Sequence, residues 1–365
     1  MLAKFDHRSN SKQSSASGKF RRLLTVSSAL TFAALACFPR VAVADEGGVS
    51  FWVPGFYGSL AAAPQQPGWS VTSVYYHTTV SAGGDVGVAR QVTRGGLSAN
   101  VTGALSVNLN AKADLALVIP SYVFATPVLG GQLALSMMAA YGRSQADVDG
   151  TLTGTIGGLG FTRSGSLAES VTGFGDLYPV AAIRWNAGVN NFMIYATGDI
   201  PVGAYDPARL VNIGIGHAAI DAGAGYTYLN PQIGYEFSAA GGFTYNFKNP
   251  DTQYQNGVDF HLDLAASRFL SKQLFVGLVG YTYQQLTADS GALPILGDFK
   301  SRVSGVGPQI GYLFPVGNLQ GYLNLKGYKE FDAAHRADGW NAWLTLSISP
   351  AAPTPATPAK RVATK

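Results

Sequence analysis

Between residues 257 and 286 the chain alternates with period two, in two segments that meet at Leu270, Ser271 and Lys272. In the first segment Val258, Phe260, Leu262, Leu264 and Ala266 take every second position, and Asp259, His261, Asp263 and Ser267 take most of those between. Successive side chains of a strand point to opposite faces, so the pattern describes a strand with one apolar and one polar face. Past the corner, Leu274, Val276 and Leu278 resume the apolar face, while Phe275, Tyr281, Tyr283 and Gln285 make the other aromatic and amide-rich. The stretch reads as a β-hairpin, which could be the edge of a sandwich or a wall of a transmembrane barrel.

Composition favours the barrel. Only 13% of residues are charged, about half the usual share, while the chain holds 45 Gly, 18 Tyr and 19 Phe. Such a balance suits a β-protein whose outer surface meets lipid. Of the 25 basic and 21 acidic residues, seven and one fall within residues 1–44, which leaves a net charge of −2 beyond them. A nucleic-acid partner needs a basic surface and is excluded on that ground. Residues 1–44 have the order of a signal peptide: Lys19, Arg21 and Arg22, an apolar run to Phe38, then Ala42-Val43-Ala44, with cleavage expected before Asp45. Cys37, the sole cysteine, lies in this leader, so the chain beyond it has no disulfide to rely on.

Residues 45–68, with Pro54, Pro64 and Pro67, read as an extended or plug-like N-terminal segment. The barrel is expected over 69–349. Its strands are placed at about 70–80, 97–109, 113–125, 131–142, 174–186 and 190–202, with two more across 226–247 that bend at Ala239-Ala240-Gly241. The hairpin of the opening paragraph follows, then 301–314, 318–328 and a last strand ending at 349. Residues 115–142 carry no Asp, Glu, Lys or Arg, yet Pro120, Pro127 and Gly130-Gly131 interrupt them, so a membrane-spanning helix is rejected. Long loops are expected at 143–172, 203–225, 288–299 and 331–338, opposite short corners at 187, 239, 271 and 316. That sorting is the habit of outer-membrane barrels. The fold class is therefore an all-β, transmembrane, antiparallel up-and-down barrel of 12 to 14 strands, with residues 51–57 as a possible extra strand. Residues 350–365, rich in Pro and Ala, read as a disordered tail on the periplasmic side.

Four motifs recur in order: Gly173-Phe174-Gly175-Asp176-Leu177-Tyr178-Pro179; Asn249-Pro250-Asp251-Thr252-Gln253-Tyr254 followed by Gly257, His261 and Asp263; Gly280-Tyr281 with Gln284, Thr287 and Asp289; and Gly307-Pro308-Gln309-Ile310-Gly311-Tyr312. Over roughly residues 170–315 the chain thereby resembles the outer-membrane transporter family of the meta-pathway of phenol degradation. The resemblance implies a β-barrel that takes up hydrophobic or aromatic compounds. The last strand departs from typical barrels, because it ends on Ser349 and a tail instead of an aromatic residue.

Parity nominates the lumen-lining side chains: Asp259, His261, Asp263, Tyr281, Tyr283, Gln285, Gln309, Gln320, Tyr322, Asn324, Lys326 and Trp343. Asp259, His261 and Asp263 could contact a polar solute group, hold a metal or gate by protonation. The plainer reading, which we favour, is a hydrated wall in which they pair with Arg184 or Lys326. Same-face positions sit about 7 Å apart along a strand, too divergent for one ion, so no metal and no cofactor is expected. The Gly157–160 run lacks the strand, spacing and helix of a phosphate loop. No Gly-x-Ser-x-Gly elbow offers a serine for His261 to activate, which argues against a barrel hydrolase and for a non-enzyme. Trp52, Trp69, Tyr75, Tyr76, Trp185, Tyr195, Tyr228, Tyr235, Tyr245, Phe314 and Trp340 are expected in interfacial girdles. The expected partners are outer-membrane lipid, small hydrophobic or aromatic solutes and the barrel insertion machinery. The alternative is a non-transporting structural or adhesive barrel.

Overall fold

The structure is a computed structural model that describes residues 50–94, 97–156, 159–291 and 300–352. Residues 1–49, which include the expected leader with Cys37, residues 353–365 of the expected tail and part of the expected 288–299 loop lie outside the described residues.

Twelve strands close into one antiparallel barrel in which every strand pairs with its sequence neighbours. They are β1 (Gly68–Arg94), β2 (Leu97–Val123), β3 (Gln132–Ile156), β4 (Leu159–Ala187), β5 (Asn190–Asp199), β6 (Ala219–Asn230), β7 (Tyr235–Asn246), β8 (Asp259–Phe269), β9 (Leu274–Gln285), β10 (Arg302–Val316), β11 (Leu319–Ala334) and β12 (Asp338–Pro350). The ring shuts between β1 and β12, from Val71 opposite Ile348 to Ser81 opposite Asp338. Closure leaves no unpaired edge at membrane depth, the condition for strands to cross lipid.

Parity works as the alternation implies. Along β8, Asp259, His261, Asp263, Ala265 and Ser267 are buried, while Leu264 and Ala266 are exposed. On β12, Leu344 and Leu346 face out and Asn341 and Trp343 face in. The outer surface carries aromatic residues at both ends of the wall, including Trp69, Tyr235, Tyr75, Tyr245 and Trp340. Three residues expected in those girdles are instead inside: Trp52, Tyr76 and Tyr195 are buried. Trp52 precedes the first strand, and Tyr76 and Tyr195 have inward parity, so spacing from a strand end misassigned them.

Four expectations about elements are corrected. The two strands placed at 97–109 and 113–125 are the single strand β2, so the count falls on twelve, and residues 51–57 add no strand. The expected loop at 143–172 is ladder: β3 and β4 pair in register from Tyr141 opposite Phe174 to Ile156 opposite Leu159. Its Gly, Ser and Thr content suggested a loop, but a ladder forms wherever backbone groups find partners, and Ala146 and Val171 within it are buried against Val211 and Ile213 of the β5–β6 connection. The bend placed at 239–241 is mid-strand in β7, and the turn lies at 231–234, where Gly234 has φ +72°. Gly241 and the Gly242 that follows it are there for space. A Cβ on Gly242 would stand 2.5 Å from the Tyr195 hydroxyl, and one on Gly241 3.0 Å from the His261 carbonyl oxygen. The connection expected at 331–338 shrinks to 335–337, because β11 runs on to Ala334.

Candidate functional site

The inward face of β6–β11 is polar, and it holds a separate piece of the same chain. Residues 50–63 precede β1, contain no strand, and place Phe51, Trp52 and Ala62 among the buried residues. Two charged side chains from neighbouring parts of the wall grip the backbone at 55–57. The ammonium of Lys326 on β11 donates to the carbonyls of Gly55, Phe56 and Tyr57 at 2.6, 2.9 and 2.9 Å, which uses all three of its donors. Asp263 on β8 accepts from the Gly55 and Tyr57 N–H groups at 2.9 and 3.0 Å, one on each carboxylate oxygen. An anion takes the donors and a cation the acceptors of the same three residues, so neither buried charge is left without hydrogen bonds. Gly55 has φ +88°, and a Cβ there would lie 2.9 Å from the Tyr328 ring, so both conformation and space call for glycine.

Further along, Ser59 donates to Glu236 at 2.6 Å and the Leu60 N–H to the same carboxylate at 2.9 Å. Gln309 donates to the hydroxyls of Ser59 and Ser267 at 2.8 and 3.0 Å, and the Ala62 N–H reaches Thr227 at 3.0 Å. At the other end of the segment Trp52 stacks on His261, with centroids 3.6 Å apart and planes 13° apart. The imidazole is fully buried, and its Nε2 lies 3.0 Å from Asp221 and 3.3 Å from the Tyr195 hydroxyl. Phe56 meets Trp343 edge-on at 6.2 Å, and Lys326 sits 5.2 Å from the Trp343 ring centroid.

Of the side chains nominated from sequence, His261, Asp263, Gln309, Lys326 and Trp343 touch this segment. The Tyr281 ring also lies beside Gly55, and the remaining ones brace the wall or its loops. Asp259 accepts from Asn246 at 2.8 Å, Gln285 bonds Thr287 at 2.9 Å and the Asp289 carboxylate, Asn324 donates to Ile310 at 3.1 Å, and Gln320 donates to Phe314 and Gly321. Tyr281 donates to Glu330 at 2.6 Å, the Arg336 guanidinium covers the Tyr283 ring, and Tyr322 lies parallel to Phe275. The pairing expected of Asp259, His261 and Asp263 with Arg184 or Lys326 is corrected. Asp263 and Lys326 meet through the backbone they both hold, and His261 pairs with Asp221. Glu236, Ser238, Thr227, Asp221 and Tyr195 were missed. The parity of Glu236 with Ser238 and Ala240 was the signal available, hidden by the misplaced bend.

A second inward fold lies between β5 and β6. Asp176 sits at an irregularity between Ala139 and Tyr141 in the β3–β4 pairing, and its carboxylate accepts the N–H groups of Gly203 and Ile215 at 2.7 and 2.8 Å. Val211, Ile213 and Ile215 of this connection are buried.

A closed ring of twelve antiparallel strands, apolar outside and polar inside, defines a β-barrel of the outer-membrane class. The chain belongs to the family described as "Putative MetA-pathway of phenol degradation", whose model matches residues 93–346. Its fold is similar to that of an outer membrane channel from Pseudomonas putida F1, at 13% identity and a TM-score of 0.55, covering 82% of this chain and 99% of that one. A FadL homologue of Pseudomonas aeruginosa aligns at 11% identity and a TM-score of 0.37, covering 84% of this chain and 97% of that one. No curated protein matches the sequence.

Proposed function

We propose that the chain is an outer-membrane channel through which small hydrophobic or aromatic molecules pass down their gradient, once residues 50–63 yield. The observation that carries this reading is how the interior is filled. Eight strands can be filled by their own side chains, whereas twelve enclose more room, and here a separate segment occupies it. Its hold is a set of hydrogen bonds, each worth about 1–3 kcal/mol net, which can be exchanged for water or solute. Tyr281, Tyr283, Tyr322 and Trp343 on the same face offer ring surfaces for weak stepwise contact with an aromatic solute. Membership of a family described by phenol degradation supports the aromatic class. On this reading lipid surrounds the apolar wall, insertion machinery delivers the barrel to the outer membrane, and the tail from 350 hangs in the periplasm.

Liposome flux tests it. Purified, leader-free protein reconstituted into vesicles should admit phenol-sized aromatics faster than protein-free vesicles do, and no acceleration with correctly inserted barrels overturns the proposal. One observation favours a second reading, a surface adhesin: β1–β4 run 25–29 residues, far more than a bilayer needs. An adhesive barrel should leave flux unchanged.

A further inference from the structure

Three cations stand close together on the outside of the barrel. Lys112 on β2, Arg143 on β3 and Lys329 on β11 are exposed, and none of them makes an ion pair among the described residues. Residues directly opposite one another in a ladder share a face, so the register shows how they are arranged. Lys329 stands opposite Trp340, Trp340 opposite Thr79, and Thr79 opposite Lys112, one row of the outer face across β11, β12, β1 and β2. One row nearer the short turns, His77, Asp114 and Arg143 stand opposite one another on β1, β2 and β3. Neighbouring strands lie about 4.8 Å apart, so the band from Lys329 to Arg143 covers about 20 Å of circumference.

The band lies level with exposed aromatic rings. Arg143 is two positions from Tyr141, whose ring meets that of Phe174 at 4.9 Å, and Lys329 is two positions from Phe331. Such rings mark the boundary between hydrocarbon and water, so the cations stand at the height of lipid headgroups. The one carboxylate in the two rows, Asp114, is engaged on the β1 side, where it accepts from the Tyr75 hydroxyl at 2.6 Å and lies 2.7 Å from His77 Nδ1. Lys112 and Arg143 are left to face each other. Arg143 is even drawn toward the Lys112 row, because its Nη2 donates at 3.3 Å to Ser170, which belongs to that row. Like charges on adjacent strands cost stability, a cost that an anion between them removes. The far side of the ring differs: Ile200, Ile220, Tyr245 and Phe247 are its exposed residues at this end.

We infer that this band docks a membrane lipid whose headgroup carries more than one phosphate, with Lys112 and Arg143 holding one phosphate, Lys329 reaching another, and the acyl chains lying on the apolar wall. Arginine grips a phosphate through paired donors and lysine meets it as a point charge, so the two side by side suit one group. The inference goes beyond the transport reading and needs no solute to pass. The experiment is native mass spectrometry of the full chain in non-ionic detergent, titrated with lipid A as the diphosphorylated glycolipid probe. Lipid A should bind saturably. Lipid A stripped of both phosphates should bind at least about tenfold more weakly, and Lys112→Gln combined with Arg143→Gln should weaken binding of intact lipid A by about as much. Lys329→Gln, which removes one contact, should weaken it about threefold. Lys248→Gln removes an exposed cation just past β7, outside the band, and should leave affinity unchanged. Inorganic phosphate in large excess has the charge without the chains and should not displace the lipid. The altered side chains are exposed, and the stripped lipid tests the unaltered chain should a variant fail to fold. Absence of saturable binding, equal binding of the two lipids, unchanged affinity in the double variant or in Lys329→Gln, an equal loss in Lys248→Gln, or displacement by inorganic phosphate would each overturn the assignment. Should flux fail while lipid A binds, the transport reading falls and this docking band stands.

Discussion

Strands β6–β11 are 11 to 16 residues long and turn Glu236, Asp263, Gln309 and Lys326 inward onto residues 50–63. Strands β1–β4 are 25 to 29 residues long, about 90 Å at the usual rise, and continue as a four-stranded sheet well past the point where β12 stops pairing with β1. One side of the barrel is short and committed to an internal ligand, its own chain. The other is long and reaches into water. The difference teaches that membrane thickness does not set strand length here. A ladder continues wherever backbone groups find partners, and what ends at the lipid boundary is the apolar outer face.

The comparison can be broken from either side. The largest effect is expected from deleting residues 50–63: conductance of single channels in a planar bilayer should rise by about an order of magnitude, because this segment fills the space in front of β6–β11. Unchanged conductance would mean that side chains or the connection between β5 and β6 close the pore alone. Next is Asp263→Ala, which removes two acceptors and strands the buried charge of Lys326, 4% exposed. A loss of about 3–5 kcal/mol from the held state is expected, measured as protease access to the segment in folded protein. Lys326→Met with Asp263→Asn, which removes both charges together, should cost less than the single change, and a cost equal to the sum of the singles would show that the two do not act as a unit. Gly55→Ala follows, at about 1–3 kcal/mol from positive φ and the Tyr328 contact, read by the same protease assay. The smallest effect belongs to the other side: excising 84–107 and 147–168, the outer parts of the β1–β2 and β3–β4 hairpins, should leave conductance and protease access unchanged. A change in either would tie the extension to the gate.

How much of this was legible differs with position. The hairpin of β8 and β9 and the last strands could be read directly, since each alternation there is enforced by lipid on one side and packed polar groups on the other. Asp259, His261, Asp263 and Lys326, nominated by parity, are buried in the structure. The extension of β1–β4 was not legible, because its Gly, Ser and Thr content carries no sustained period-two signal while ladder pairing persists. The bend misplaced at 239–241 arose from reading Ala239, Ala240 and Gly241 as turn residues, when the glycines that follow, Gly241 and Gly242, make room for the β8 backbone at His261 and for the Tyr195 hydroxyl.

By itself the sequence determined that a closed, lipid-facing β-ring forms, because alternation and scarcity of charge are local properties that each strand carries alone. Tertiary structure decided what the interior holds. Asp263 and Lys326 lie 63 positions apart, and residues 55–57 more than 200 before either. Only ring closure brings a cation and an anion onto the same three peptide groups, and no pattern along the chain records that meeting.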